Sequence, residues 1–217
     1  MYMPPAFRED DLPTIHAEMR NIQLATLVTV TANGMVATHL PYMLDPATGE
    51  YGTLYGHVAR GNTQWHESLP EVEALAIFTA SDAYVTPNWY PSKQETGKVV
   101  PTWMYAAIHA YGKVRFIDDV EWLRDFVTRL TDKHEASSAQ PWKVTDAPPA
   151  YFDAQLARII GVELPISRVE GKWKFDQRST AQDRVGVLAG LEASGTPGNL
   201  EAASVMRGIE AKRKNQS

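Results

Sequence analysis

The chain has 217 residues, a length that favours one domain with additional segments over two full domains. It carries 21 basic and 26 acidic residues, so its net charge of −5 excludes a large non-specific attraction to nucleic acid or to an anionic membrane. The absence of cysteine excludes disulfides, cysteine-ligated zinc and thiol catalysis. Neither a secretory leader nor an apolar stretch of roughly 20 residues is recognisable, so we expect a cytoplasmic protein.

The first half of the chain has the pattern of antiparallel strands. Residues 24–31 alternate between two faces, Asn33-Gly34 is a strong signal for a tight hairpin, and residues 35–42 return as a second strand. The other elements predicted here are a helix at 12–21, a strand at 51–58, a helical turn at 64–69, and strands at 74–79 and 84–85.

The second half opens with the clearest strand, residues 104–117, in which apolar and polar side chains alternate. Asp118-Asp119 then provides an N-cap for a helix that ends near His134. Later elements are predicted as a helix at 151–160, a strand at 162–169 that turns at Glu170-Gly171, and helices at 181–191 and 200–214 joined by residues 193–198. Many short strands with inserted helices predict an α+β fold, a closed antiparallel barrel with peripheral helices.

The segment 86–102, TPNWYPSKQETGKVVPT, is long for a connection within a compact domain. Its aromatic residues argue against disorder, and its lysines Lys93 and Lys98 are able to meet an anion. Two interpretations stay open, a functional loop and a structural loop packed on the barrel or at a subunit contact.

A second candidate is GHVARGNTQW, residues 56–65, in which a predicted strand leads through Arg60, Gly61 and Asn62 into a helical turn. An arginine fork, backbone donors and a glycine that permits close approach suit a phosphate. A turn with a surface arginine is the commoner outcome for such a pattern.

The histidines His39, His57 and His109 lie on predicted strands, and no two histidines have the spacing of a helical zinc motif. A metal site is therefore not expected. Ser81 and Ser92 lack the elbow motif of a serine hydrolase.

Many ordered motifs carry a resemblance to a known family. They are MYMPPAF, ATLVTV, THLPYMLDP, GTLYGHVARGNTQW, DAYVTPNWYPSK, GKVVPTWMYAAIHAYG, LTDKHE and VELPISRVEGKWKFDQ. The chain resembles the PaiB-type FMN-binding family of negative transcriptional regulators from Met1 to about Gly190. That family is similar in fold to the pyridoxamine-phosphate oxidase and flavin-reductase split β-barrels, which form homodimers with FMN at the subunit interface.

The resemblance implies FMN as the cofactor and assigns residues to it. His57, Arg60 and Asn62 are expected on the phosphate side. Thr29, Thr38 and His39 are expected to line the strand wall. The long loop and the strand after it are expected to contribute Trp89, Lys98, Trp103 and Tyr105. The family commonly carries Asn where this chain has Met104, so a polar contact is expected to be missing there.

Three functional hypotheses follow. The family name implies a negative transcriptional regulator, the fold implies a flavin-dependent oxidoreductase or flavin reductase, and some related split barrels bind haem, with His39, His57 or His109 as ligands. DNA contact is implied only by the resemblance, because six residues between the last two helices exceed the turn of a helix-turn-helix motif. We expect an FMN-binding split-barrel domain at 1–178, a helical extension at 179–217, and a homodimer.

Overall fold

The computed structural model describes residues 1–214. The helices of that part, numbered along the chain, are α1 (Leu12–Asn21), α2 (Gln64–Glu67), α3 (Ser92–Thr96), α4 (Val120–Glu135), α5 (Pro149–Leu156), α6 (Ala181–Ser194) and α7 (Pro197–Lys214). Short 3-10 turns occupy Pro5–Phe7, Pro87–Trp89 and Val144–Asp146.

The strands all pair antiparallel where a register is defined. They are β1 (Arg8–Glu9), β2 (Leu24–Thr31), β3 (Gly34–Pro41), β4 (Met43–Asp45), β5 (Thr53–Ala59), β6 (Ala74–Val85), β7 (Thr102–Gly112), β8 (Arg115–Ile117), β9 (Ile159–Pro165) and β10 (Arg168–Lys174). The predicted α+β class is confirmed.

The chain divides into two compact units. We call the unit formed by residues 1–11, 79–108 and 170–217 the discontinuous unit, and the unit formed by residues 12–78 and 109–169 the central unit. Strands β6 and β7 each run through both. A domain boundary after residue 178 stays a prediction.

In the central unit, β2 lies between β3 and β6, and a second sheet has the order β4-β5-β9-β8. The β2–β3 register runs from Leu24 opposite Pro41 to Thr31 opposite Gly34, so the predicted hairpin is confirmed. Helix α4 begins as predicted, because the Asp119 side chain accepts a hydrogen bond from the Trp122 N–H at 2.8 Å.

In the discontinuous unit, the strand order is β1-β10-β7-β6. Helices α6 and α7 pack on each other, and buried Val187, Leu191 and Met206 belong to their shared core. A salt bridge at 2.6 Å between Arg184 Nε and Glu210 Oε1 joins the same two helices. The predicted helices are therefore present, and both are longer than expected.

Five boundaries predicted from the sequence were wrong. Residues 74–85 form one strand and not two, because the residues between the two predicted strands continue it. Helix α5 ends at Leu156 and not at residue 160. The turn between β9 and β10 lies at 166–167, so Glu170-Gly171 is inside β10. Residues 104–117 form two strands. The link between α6 and α7 is two residues, because Gly195 adopts the left-handed conformation and ends α6.

Candidate functional site

Arg60 follows the last residue of β5 and holds three segments of the central unit together. Its Nη1 and Nη2 donate to the two carboxylate oxygens of Asp118 at 2.7 and 2.5 Å, and its Nε donates to the Ala157 carbonyl at 2.8 Å. This fork-to-fork pair is the geometry with which arginine binds planar anions. The Arg60 hydrogen bonds lower the pKa of the Asp118 carboxyl. An anion bound by Arg60 would have to replace or share the Asp118 carboxylate.

The turn after Arg60 retains unused backbone donors. Within residues 1–214, the N–H groups of Gly61 and Thr63 donate to no acceptor, whereas the Asn62 N–H donates to the Ala59 carbonyl at 2.9 Å. A Cβ at Gly61 would meet nothing within 4 Å, so the space beside this turn is open. Two free N–H groups in a turn that begins with an arginine are donors for which a phosphate oxygen is a suitable acceptor.

Three predicted site residues of the central unit belong to a network around Gln64, whose side chain is fully buried. Gln64 Nε2 donates to Thr29 Oγ1 at 2.9 Å, and Gln64 Oε1 accepts from Thr38 Oγ1 at 2.6 Å. Asn62 Nδ2 in turn donates to Thr38 Oγ1 at 2.8 Å. Thr38 and Asn62 are part-exposed at the open side of this network, and Thr29 is buried behind them.

The two predicted histidines of the central unit have different surroundings. His39 is exposed, and its Nδ1 lies 2.8 Å from Thr26 Oγ1. His57 Nδ1 is buried without a hydrogen-bond partner, and the ring centroid lies 5.9 Å from that of Phe126. Burial lowers the pKa of His57, so the neutral imidazole is favoured.

In the discontinuous unit, Trp89 packs against helix α6. A Cβ at Gly186 would lie 2.2 Å from the Trp89 carbonyl oxygen, and one at Gly190 would lie 2.3 Å from Trp89 Cδ2. These two glycines, one turn apart, allow the 3-10 turn Pro87–Trp89 to contact the helix backbone. Trp89 therefore anchors the long loop to helix α6. A contact of this loop with the barrel or with a second subunit stays a prediction.

The other predicted residues of this unit lie on or near β7. Lys98 lines a cavity of about 330 Å³ together with Lys174 and Thr102. Trp103 is 54% exposed, and the Tyr105 ring centroid lies 5.1 Å from Lys172 Nζ and 5.8 Å from Lys174 Nζ. Met104 is fully buried in the core, so an apolar side chain is favoured at that position.

The structure thus groups Thr29, Thr38, His39, His57, Arg60 and Asn62 in the central unit, and Trp89, Lys98, Trp103 and Tyr105 in the discontinuous unit. Sequence reasoning missed Gln64, Asp118, Lys174 and Asp176. Gln64 carried a usable signal, because a polar residue that begins a helix two residues after Asn62 is a candidate hydrogen-bond centre. Asp118 carried no such signal, because its partner Arg60 lies 58 residues away in the sequence. Asp176 carried none, because its unsatisfied oxygen is a result of burial in the folded chain.

Two classes of site are not observed in residues 1–214. No group of three or more His, Asp or Glu side chains is arranged to hold a metal ion. No described helix is both long and apolar enough to cross a membrane.

Comparison with known proteins agrees with this architecture. The family described as "Putative FMN-binding domain" matches residues 1–168. An uncharacterized protein of Emericella nidulans is 32% identical over 95% of this chain and 96% of its own length. The protease synthase and sporulation protein PAI 2 of Bacillus subtilis is 27% identical over 100% of both chains. The FAD and heme binding protein from Mycobacterium smegmatis has a TM-score of 0.54 at 17% identity, over 87% of this chain and 80% of that one.

The fold and these matches define a flavin-binding protein of the split β-barrel class, with a helical C-terminus, as predicted from the sequence. Within that class, the chain belongs to the FMN-binding domain family that matches its first 168 residues, and its cofactor is FMN. The donor set at Arg60, Gly61 and Thr63 fits the phosphate end of that cofactor.

Proposed function

We propose that the chain is a flavin-dependent oxidoreductase that binds the phosphate of FMN at the turn from Arg60 to Thr63. The observation that carries this proposal is the Arg60 guanidinium, which holds a planar carboxylate through both Nη atoms at a turn where the Gly61 and Thr63 N–H groups have no acceptor within residues 1–214. The Asp118 carboxylate marks the position at which this guanidinium binds an anion.

Each residue of the turn has a defined role in the proposal. Arg60 supplies a charged fork, the Gly61 and Thr63 backbones supply donors, and the Gln64 network holds Thr38 and Asn62 in position at the open side. Burial lowers the pKa of His57, which favours its neutral form. FMN, when bound, supplies hydride transfer. The flavin roles assigned from the family resemblance to Thr29, His39, Trp89, Trp103 and Tyr105 remain part of the proposal. Lys98 lines a separate cavity with Lys174 and Thr102.

Full-length similarity to PAI 2 favours a second candidate, a negative regulator. Direct DNA contact through α7 has little support, because Arg207, Lys212 and Arg213 of this helix pair with carboxylates of the discontinuous unit. Arg207 binds Glu192, Lys212 Nζ lies 3.5 Å from Glu9 Oε2, and Arg213 Nη1 lies 3.3 Å from Glu210 Oε1. A regulatory role would then operate through flavin or small-molecule binding. In a gel-shift assay at physiological salt, we expect no binding to random duplex DNA tighter than micromolar.

Paired titrations of FMN and riboflavin test the phosphate assignment. Arg60→Ala is expected to weaken FMN binding by about ten- to a hundredfold, since it removes charge-assisted hydrogen bonds, and to leave riboflavin binding nearly unchanged. Arg115→Ala is the matched control, because Arg115 also pairs with a carboxylate of the central unit, at 2.5 Å from Glu163. Equal FMN affinity in Arg60→Ala and the parent, or equal affinity of the parent for FMN and riboflavin, would disprove this role.

An absorption spectrum of the purified protein separates the flavin proposal from the haem alternative. Flavin bands that increase on addition of FMN are expected. A Soret band that saturates with added haem, together with no flavin binding, would favour the haem alternative and exclude the oxidoreductase proposal.

We also propose a homodimer, as the resemblance to split barrels implies, and a cytoplasmic location. The dimer proposal is supported by exposed apolar side chains of the discontinuous unit, namely Val100, Trp103 and Tyr84, of which the last two contact edge-to-face at 5.8 Å. Sedimentation should show a dimer at micromolar concentration. A folded monomer at that concentration would overturn it.

A further inference from the structure

A second candidate binding site lies in the discontinuous unit, apart from the residues assigned to the flavin phosphate. It is the cavity of about 330 Å³ that Lys98 lines, a volume within the range of small-molecule sites. Its wall contains side chains of both charge signs, hydroxyl groups, and the apolar residues Phe7, Val99 and Val100. Such a wall suits a ligand that itself carries opposite polar ends.

The basic side of the cavity consists of Lys98 and Lys174. Within residues 1–214, neither ammonium group has a carboxylate partner. Lys174 Nζ donates to Thr102 Oγ1 at 2.9 Å, which leaves the Thr102 hydroxyl proton free to be donated. Two lysines without a counter-ion in a chain of net charge −5 are a local anion-binding set.

The acidic side of the cavity is Asp176. Its Oδ1 accepts from Ser179 Oγ at 2.5 Å and from Tyr90 Oη at 3.4 Å, whereas its Oδ2 is buried with no hydrogen-bond partner. A buried carboxylate oxygen without a donor is costly. Asp176 also has a φ of 64°, a left-handed conformation that non-glycine residues rarely adopt. The carboxylate is thus held at the wall by its neighbours with one oxygen still unsatisfied.

The nearby charged groups do not satisfy that oxygen. Arg184 donates to Glu210 and to the Ser179 carbonyl. Asp183, which also lines the cavity, accepts from the Ser92 N–H, the Ser92 hydroxyl and the Thr180 hydroxyl, so its oxygens are already used. Asp176 is therefore the acidic side chain of the wall that has an unsatisfied oxygen, and a ligand donor reaches this oxygen once the carboxylate turns toward the cavity.

We propose that this cavity binds a small organic anion that also carries an N–H donor, the charge pattern of an α-amino acid. Lys98, Lys174 and Thr102 bind the carboxylate, and Asp176 binds the ammonium group. The apolar wall at Phe7, Val99 and Val100 contacts the side chain of the ligand. An amino-acid-type ligand bound in this cavity would be a substrate or an effector of the flavin protein.

Calorimetric titration of the full chain tests this assignment, with the neutral L-amino acids as probes, each used singly. We expect at least one to bind, and its methyl ester and its N-acetyl derivative, which each lack one charged end, to bind at least tenfold more weakly. Lys174→Met should weaken the parent amino acid without further weakening the ester. Asp176→Asn should weaken the amino acid without further weakening the N-acetyl derivative.

Lys93→Met is the matched control, because Lys93 lies on the same long loop with its Nζ 2.5 Å from Asn88 Oδ1 and does not line the cavity. Asparagine tolerates the left-handed conformation at position 176, so that variant should fold. The proposal is overturned if no amino acid binds, if ester and N-acetyl forms bind as well as the parent compound, or if Lys93→Met loses as much affinity as Lys174→Met. Competition of FMN for the same site would also overturn it.

Discussion

The indole ring of Trp89 lies directly against the backbone of Gly190 on helix α6, where a Cβ atom would be 2.3 Å from Trp89 Cδ2. Gly190→Ala is therefore expected to destabilise the protein by about 1–3 kcal/mol through overpacking, although alanine is the better helix former. Urea unfolding measures this change.

Gly208→Ala is the control for that substitution. Gly208 lies on helix α7, and a Cβ there would meet nothing within 4 Å. Its replacement should raise stability by up to about 1 kcal/mol. If both variants shifted the unfolding midpoint in the same direction, the contact between Trp89 and α6 would not determine stability.

The buried Gln64 side chain leads to a second prediction. Gln64→Leu removes the donor to Thr29 Oγ1 and the acceptor for Thr38. Thr29 Oγ1 keeps the Ser68 hydroxyl at 2.7 Å and Thr38 is part-exposed, so we expect a loss of about 1–3 kcal/mol in chemical denaturation. Gln94→Leu, on the exposed face of α3, should change stability by no more than about 0.5 kcal/mol. Similar losses in the two variants would contradict a structural role for the network.

Asp176 leads to a pH-dependent prediction. Burial raises its pKa in the folded protein above the unfolded value, so protonation favours folding, and this contribution is lost as the pH rises through the folded pKa. Asp176→Asn, which stays neutral, should be more stable than the parent at pH 7, and the difference should shrink as the pH falls toward 4. Urea unfolding at several pH values measures it. A difference independent of pH would show that the ionised carboxylate is not the destabilising group.

His57 has the opposite dependence. Burial lowers its pKa in the folded protein, so the neutral ring favours folding, and this stability is lost as the pH falls from above the unfolded pKa through the folded pKa. The parent should lose more stability than His57→Gln between pH 7 and pH 5. Parallel thermal unfolding curves of the two proteins across this range would refute the prediction, and His134→Gln, at the exposed end of α4, controls for the general effect of removing a histidine.

Local patterns predicted the parts of the fold that depend on neighbours in sequence. The Asn33-Gly34 turn sets the β2–β3 register, and the Asp119 side chain caps α4, because each interaction spans only a few residues. Strand β6 was predicted as two separate strands, whereas residues 80–83 continue it, with Asp82 exposed and Ser81 buried.

The candidate site depended on contacts that no local pattern encodes. Arg60 was predicted as a phosphate ligand from its turn, but its Asp118 partner lies 58 residues further along the chain. The contact between Trp89 and α6, and the unsatisfied oxygen of Asp176, arise only after distant segments pack. The family resemblance supplied the cofactor, while the connections among these side chains required the structure.

The discontinuous unit has a consequence for how the protein is made. Its residues come from the start, the middle and the last part of the sequence, so the strand partner of β1, the strand β10, leaves the ribosome only after the central unit has been synthesised. The family match ends at residue 168, the first residue of that strand. A premature stop codon there would preserve nearly every residue by which the family is recognised, and would leave β1 and β7 without the strand that lies between them, a form that we expect to aggregate.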